Sequence, residues 1–264
     1  MVALSWRRIP GVLVSWAVMT MPAPAVETVC HRGANEHGPE NTRAATQLCI
    51  DWGMDYVEID VRTSQDGVMY ILHDATVDRT TNGKGPLRDL TSNQIDRLDA
   101  GSWFDPKFAG QRVPRLEPYL KWVKGKIKVY FDVKDADLAK LIKLVHDVGM
   151  DQDCFFWFGN RLQAVQFRKL DANLPLKINA TTIEQVVAAK KALNSQIIEA
   201  SLSAATKEFI DACRSNGMKL MIYHPQKDEA AFRRICEIGA DMVNLNHGDV
   251  FRKVEQAYAK GRGR

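Results

Sequence analysis

Short apolar runs alternate along this chain with segments whose apolar residues recur every three to four positions. The runs predict strands at 28–31, 56–61, 69–73, 127–133, 154–158, 176–178, 196–199, 219–223 and 241–245. The periodic segments predict helices at 42–51, 92–98, 116–124, 136–148, 161–169, 183–192, 205–216, 228–238 and 250–259. Strands that alternate with amphipathic helices build parallel βαβ units. Close to eight such units favour a (β/α)8 TIM-type barrel over an open doubly wound sheet, and no GxGxxG follows the first strand. The length of 264 residues, 45% of them hydrophobic, suits one such domain.

Two regions break the rhythm. Residues 74–114 are rich in Gly, Pro and polar side chains and are too long for an ordinary βα loop. Following the strand that ends in His73, this segment is expected at the rim of the barrel as a lid or wall. Lys84, Trp103 and Phe104 could touch a ligand there, although loop aromatics more often pack the loop down. The first 25 residues have a basic start at Arg7 and Arg8, an apolar stretch over 9–21 and a small-x-small motif at Ala23-Pro24-Ala25. That tripartite pattern predicts a signal peptide cleaved after Ala25, an exported protein and a domain over 26–264. The alternative is an uncleaved anchor, but the apolar run is short for a membrane span and contains Pro10 and Gly11. No stable membrane insertion is expected after cleavage.

Charge adds little. The formal net charge is +4, from 36 Lys and Arg against 32 Asp and Glu. Removing Arg7 and Arg8 leaves 34 against 32, with no basic stripe, so a nucleic-acid partner is not expected. The five cysteines include no CxxC pair, which argues against a zinc site. Cys30, Cys49 and Cys154 sit in apolar segments and read as small core residues.

The chemistry lies in the first half. Residues two apart on a strand face the same way, so Glu58 and Asp60 share one face and Val57, Ile59 and Val61 the other. In a closed barrel the apolar set should face the helices and the carboxylates the interior. Unpaired inward acids are costly, and hard cations want such oxygen ligands. By the same parity Asp132 and Lys134 share a face, one as a third carboxylate and the other as a balancing charge. His31 ends the first predicted strand and His73 the third, and two imidazoles suit an acid and base pair. Arg32 can grip a phosphate with two hydrogen bonds. Gly33 permits a sharp turn after it, Glu40 is a supporting residue that could reach the substrate or orient Arg32 or a loop amide, and Asn41 is a natural helix N-cap.

In order along the chain, HRG at 31–33, PENT at 39–42, VEIDV at 57–61, DG at 66–67, HD at 73–74, DRTTNGKG at 78–85, VPRL at 113–116 and DVK at 132–134 resemble the glycerophosphodiester phosphodiesterase family. The resemblance implies a TIM-type barrel that hydrolyses a small-molecule glycerophosphodiester to glycerol 3-phosphate and an alcohol, with one divalent metal, Ca2+ or Mg2+. It implies His31 and His73 as the acid and base pair, Arg32 as phosphate clamp, Glu58, Asp60 and Asp132 as metal ligands, and Lys134 as the motif lysine. Asp132 stands where the family commonly has Glu. Many members carry a Trp near the seventh strand end and a Thr-Asp pair at the eighth. Here those regions read IYHPQKD and NLNHGD, leaving Tyr223 to take the place of the aromatic wall. Two other readings remain: a phospholipase D-like lyase acting on sphingomyelin or lysophospholipid, and a non-catalytic binding barrel.

Overall fold

The structure, a computed structural model, describes residues 25–262, and the expected leader lies outside the described residues except for Ala25. Eight parallel strands carry the fold: β1 (Glu27–Cys30), β2 (Tyr56–Thr63), β4 (Lys128–Val133), β5 (Cys154–Phe158), β6 (Lys177–Asn179), β7 (Ile197–Ala200), β8 (Lys219–Tyr223) and β9 (Met242–Leu245). Their order is β5-β4-β2-β1-β9-β8-β7-β6. A parallel bridge from Phe156 to Leu176 and a Phe156 N–H donating to the Pro175 carbonyl at 2.9 Å bring the two ends together into a nearly closed barrel.

The remaining strand corrects the sequence expectation. The third predicted strand is β3 (Met69–Ile71), and it is no barrel stave: it pairs antiparallel with the end of β2, Val61 opposite Ile71 and Thr63 opposite Met69. Five residues separate the two strands. A parallel crossover needs a dozen or more, so only a hairpin is possible. The turn closes with the Ser64 N–H donating to the Val68 carbonyl at 2.9 Å and Gly67 at φ +81°. β2 thus overshoots the barrel mouth and β3 returns to it, which delivers His73 to the level of Asp60: the Leu72 N–H donates to the Asp60 carbonyl at 2.9 Å.

The main helices are α1 (Arg43–Asp51), α3 (Leu116–Val123), α4 (Leu138–Val148), α5 (Arg161–Leu170), α6 (Ile183–Leu193), α7 (Lys207–Ser215), α8 (Glu229–Glu237) and α9 (Gly248–Arg262), with a single turn α2 (Ser92–Ile95) in the long segment. Hydroxyl, carboxylate or amide side chains cap their starts, among them Thr42, Asp137, Asn160, Thr182, Thr206 and Asp228. The cap of α1 is Thr42, not Asn41, because the Asn41 side chain is engaged elsewhere.

Burial follows strand parity. Val57, Ile59, Val61, Val129, Phe131 and Val133 pack outward against the helices. Inside the barrel, Val29, Tyr56, Tyr130, Phe155, Ile197, Met221 and Met242 form an apolar plug. Above it the same strands turn from apolar to charged. Residues 74–114 carry a small core of their own, in which Val77, Leu87, Ile95, Ala100 and Val113 pack on Tyr70 and Leu72. Within this segment the Trp103 indole N–H donates to the Ala100 carbonyl, its ring meets Phe104 edge-on, and Lys84 pairs with Asp78. All five cysteines are buried and free.

Candidate active site

Asp60 on β2 stands in register with Asp132 on β4, and Glu58 lies two residues below Asp60 on the same face. All three are buried. One carboxylate oxygen from each lies within 4.8 Å of the others. Lys134 donates to Asp132 Oδ2 at 2.6 Å and sits 3.1 Å from Asp60 Oδ1. Asn41, held at φ +58°, donates its amide to Asp60 Oδ2 at 2.7 Å and accepts the Asp60 N–H at 3.3 Å. Asp132 Oδ1 is buried without a hydrogen-bond partner.

At close range one ammonium and the flank of one guanidinium meet three buried carboxylates. Burial first, and then the charges of Asp60 and Asp132, push the Glu58 carboxyl well above the usual carboxylate range. Burial and Asp60 push Asp132 up to about 6 despite Lys134. Buried charge of one sign is expensive unless paired. Three convergent carboxylates, one with an orphaned oxygen, fit a hard divalent cation.

Arg32 and Gly33 follow β1 with φ of +57° and +81°. This left-handed pair is unusual for a residue with a side chain, and it aims the Arg32 N–H at Glu58 Oε2, 2.6 Å away. A Cβ on Gly33 would lie 2.9 Å from the Ala45 Cβ, so only glycine lets α1 approach. The Arg32 guanidinium donates to Glu40 Oε1 at 3.2 Å, while its Nε is buried, without a hydrogen-bond partner and 3.7 Å from Asp60 Oδ2. An unsatisfied buried donor at this point can meet an anionic oxygen.

The two histidines are held alike. His31 Nδ1 lies 3.0 Å from Asn246 Oδ1, and the Tyr223 ring meets it edge-on at 5.6 Å. Burial first, then the charge of Arg32, lowers the His31 pKa below the ordinary imidazole value. His73 Nδ1 lies 2.7 Å from Asp74 Oδ1, and its carbonyl accepts from Arg62 Nε at 2.9 Å and Nη2 at 2.7 Å. A ring whose Nδ1–H is donated to an oxygen keeps the Nε2 lone pair for other chemistry. Arg79 bridges Asp74 and Glu40. Its hydrogen bonds hold Asp74 far below the usual carboxylate range, and they lower Glu40 against the opposing effect of burial.

The structure thus gathers His31, Arg32, Glu40, Glu58, Asp60, His73, Asp132 and Lys134, with Tyr223 flanking His31. Sequence reasoning missed Asn246, Arg62 and Arg79, whose roles depend on contacts distant in the chain. It also missed a second charged pair deep in the barrel. Lys177, 1% exposed, donates to Glu199 Oε1 at 2.9 Å and lies over the Trp157 and Tyr130 rings at 4.6 and 5.3 Å. Asn244 Nδ2 lies 3.4 Å from the other Glu199 oxygen. A lysine and a glutamate at inward parity on neighbouring strands were the available signal.

Residues 31–250 match the model of the Glycerophosphoryl diester phosphodiesterase family. A glycerophosphodiester phosphodiesterase of Bacillus subtilis is 29% identical over 258 residues, covering 88% of this chain and 87% of its own. A second Bacillus subtilis protein given the same family name is 38% identical over 143 residues, which span 54% of this chain and 58% of that relative. Among solved structures, the glycerophosphodiester phosphodiesterase of Agrobacterium tumefaciens superposes with a TM-score of 0.83 at 37% identity, covering 86% of this chain and 99% of that one.

Proposed function

The chain belongs to the glycerophosphoryl diester phosphodiesterase family, and on that premise we propose that it cleaves glycerophosphodiesters to glycerol 3-phosphate and an alcohol, with the help of a divalent cation and a pair of histidines. The observation that carries this reading is the convergence of three buried carboxylates with an orphaned oxygen, beside Arg32, in a protein that also holds two histidines by Nδ1 at neighbouring strand ends.

Glu58, Asp60 and Asp132 would hold Ca2+ or Mg2+. Such an ion supplies positive charge against the charge that builds on the phosphate oxygens. Arg32 binds the phosphate through its unsatisfied guanidinium edge, and Glu40 fixes the plane of that group. Lys134 pairs with Asp60 and Asp132 and adds to the positive field. With Nδ1 engaged, His31 and His73 each have Nε2 left for proton transfer. One takes the proton of the nucleophile, either water or the neighbouring glycerol hydroxyl, and the other protonates the leaving alkoxide. Tyr223 forms one wall for the departing alcohol. We further propose that residues 1–25 are a cleaved signal peptide and that the enzyme acts outside the cytoplasm as residues 26–264. Among the described residues no helix is long and apolar enough to cross a membrane.

Glycerophosphocholine hydrolysis tests the reading. His31→Ala and His73→Ala are each expected to lose about 10²–10⁴-fold in kcat, the range for a general acid or base. EDTA should abolish turnover, and Ca2+ or Mg2+ should restore it. Retention of most activity by both variants overturns the reading, as does EDTA-resistant turnover. A cyclic phosphate product without glycerol 3-phosphate would show a lyase instead.

A further inference from the structure

Arg79 lies in the segment after β3 and is 43% exposed, a position at which salt bridges contribute little to stability. Its hydrogen bonds, however, go to two carboxylates that each hold a group of the site. Nη1 donates to Glu40 Oε2 at 2.8 Å and Nη2 to Glu40 Oε1 at 2.8 Å. Nε donates to Asp74 Oδ2 at 2.7 Å and Nη2 to Asp74 Oδ1 at 3.0 Å. Glu40 Oε1 is also the acceptor for Arg32, and Asp74 Oδ1 is the partner of His73 Nδ1. A guanidinium has five N–H donors, of which these contacts use four. One N–H on Nη1 is left, too few for Arg79 to grip a phosphate with two hydrogen bonds while it holds both carboxylates.

The loop that carries it is braced from within. The Val77 N–H donates to the Gly85 carbonyl at 3.0 Å, the Gly85 N–H to Asp78 Oδ2 at 2.8 Å, and the Thr81 hydroxyl to the Val77 carbonyl at 2.6 Å. Asn82 and Asp99 exchange two further hydrogen bonds. The hydroxyl, amide and glycine residues of DRTTNGKG thus fix the backbone from which Arg79 reaches back across the mouth.

We propose that Arg79 is the positioning residue that couples the two halves of the reaction, locking Glu40 onto the phosphate-binding Arg32 and Asp74 onto His73 through one planar fork. A lysine cannot do this, because one ammonium cannot present two parallel pairs of donors in a plane. Without the fork, Glu40 and Asp74 lose the cation they share, and each can swing its partner out of line. Misplacement of about 1 Å is enough to lower turnover about 10²-fold. The inference rests on the roles proposed above for Arg32 and His73.

The experiment measures glycerophosphocholine hydrolysis by Arg79→Ala and Arg79→Lys alongside Arg32→Ala and His73→Ala. Arg79→Ala should lose about 10²-fold in kcat/KM, and millimolar guanidinium chloride should restore about tenfold of it, whereas equal sodium chloride restores nothing. In a protein already carrying Glu40→Gln and Asp74→Asn, Arg79→Ala should cost less than about threefold, because coupled sites are not additive. A purely structural arginine would show no guanidinium rescue and full additivity, and either result overturns the proposal. So does wild-type turnover in Arg79→Ala while Arg32→Ala and His73→Ala are inactive. Activity in those two as well sinks the proposed function itself. Should Arg79→Ala not fold, wild-type kcat in Arg79→Lys overturns the proposal and a loss beyond tenfold supports it.

Discussion

Two charged clusters are buried in this one barrel, and they are built differently. On the β6–β7 side, Lys177 and Glu199 neutralise each other, with aromatic rings and Asn244 around them. On the β2–β4 side, Glu58, Asp60 and Asp132 are met at close range by one ammonium, Lys134, and the flank of one guanidinium, Arg32. A balanced pair completes itself within the fold. In the second cluster burial first, and then neighbouring like charge, raises the pKa values of Glu58 and Asp132. Buried charge alone therefore does not distinguish the two clusters; the degree to which it is compensated does.

The strongest way to break the comparison is Glu58→Gln. Its amide oxygen can still accept the Arg32 N–H, so the fold keeps that contact. Turnover should fall about 10³-fold or more, since a cation contributes several kcal/mol at about 1.4 kcal/mol per tenfold. The metal-free variant should melt no lower than the parent at pH 8, because one repelling charge has gone. A clear drop in its melting temperature would show that the triad is structural.

Lys177→Met should do the opposite. It leaves Glu199 buried and unpaired, at a cost of about 3–5 kcal/mol of stability, read as a lower midpoint in urea. An unchanged midpoint would mean that the pair is dispensable to the fold.

The smallest effect is a linkage between metal and pH. Glu58 and Asp132 have raised folded-state pKa values, so their contribution to stability is complete below the unfolded carboxylate value of about 4 and is lost as pH rises through the folded value, about 6 for Asp132. The metal-free protein should accordingly weaken from about pH 4 to above pH 6, on top of any general acid effects. Ca2+ or Mg2+ at about a hundred times its Kd should add about 2.7 kcal/mol at pH 7.5 and much less at pH 4.5. An equal rise in melting temperature at both pH values would place the ion elsewhere.

Much of the site was legible because its logic is local. Strand parity alone places Glu58 and Asp60 on one face and Val57, Ile59 and Val61 on the other, and the buried triad and outward core follow that division. The same parity pairs Asp132 with Lys134. The β3 strand was visible as an apolar run, but its direction was not, since periodicity is the same for a barrel stave and a hairpin arm. Asn41 was misassigned for a related reason. An asparagine before a helix fits a cap, and only the neighbouring strand shows that Asp60 takes its side chain.

From its sequence alone this chain had determined an alternating barrel, its family and the carboxylates, histidines and arginine of the mouth, because these depend on periods and spacings within single segments. Tertiary structure alone decided which residues hold them. Asn246 reaches His31 from 215 positions away, Arg79 reaches Glu40 across 39, and Lys177 finds Glu199 on the next stave. Such contacts are set by how the barrel closes and how its loops fold back over the mouth, and nothing in the local pattern encodes them.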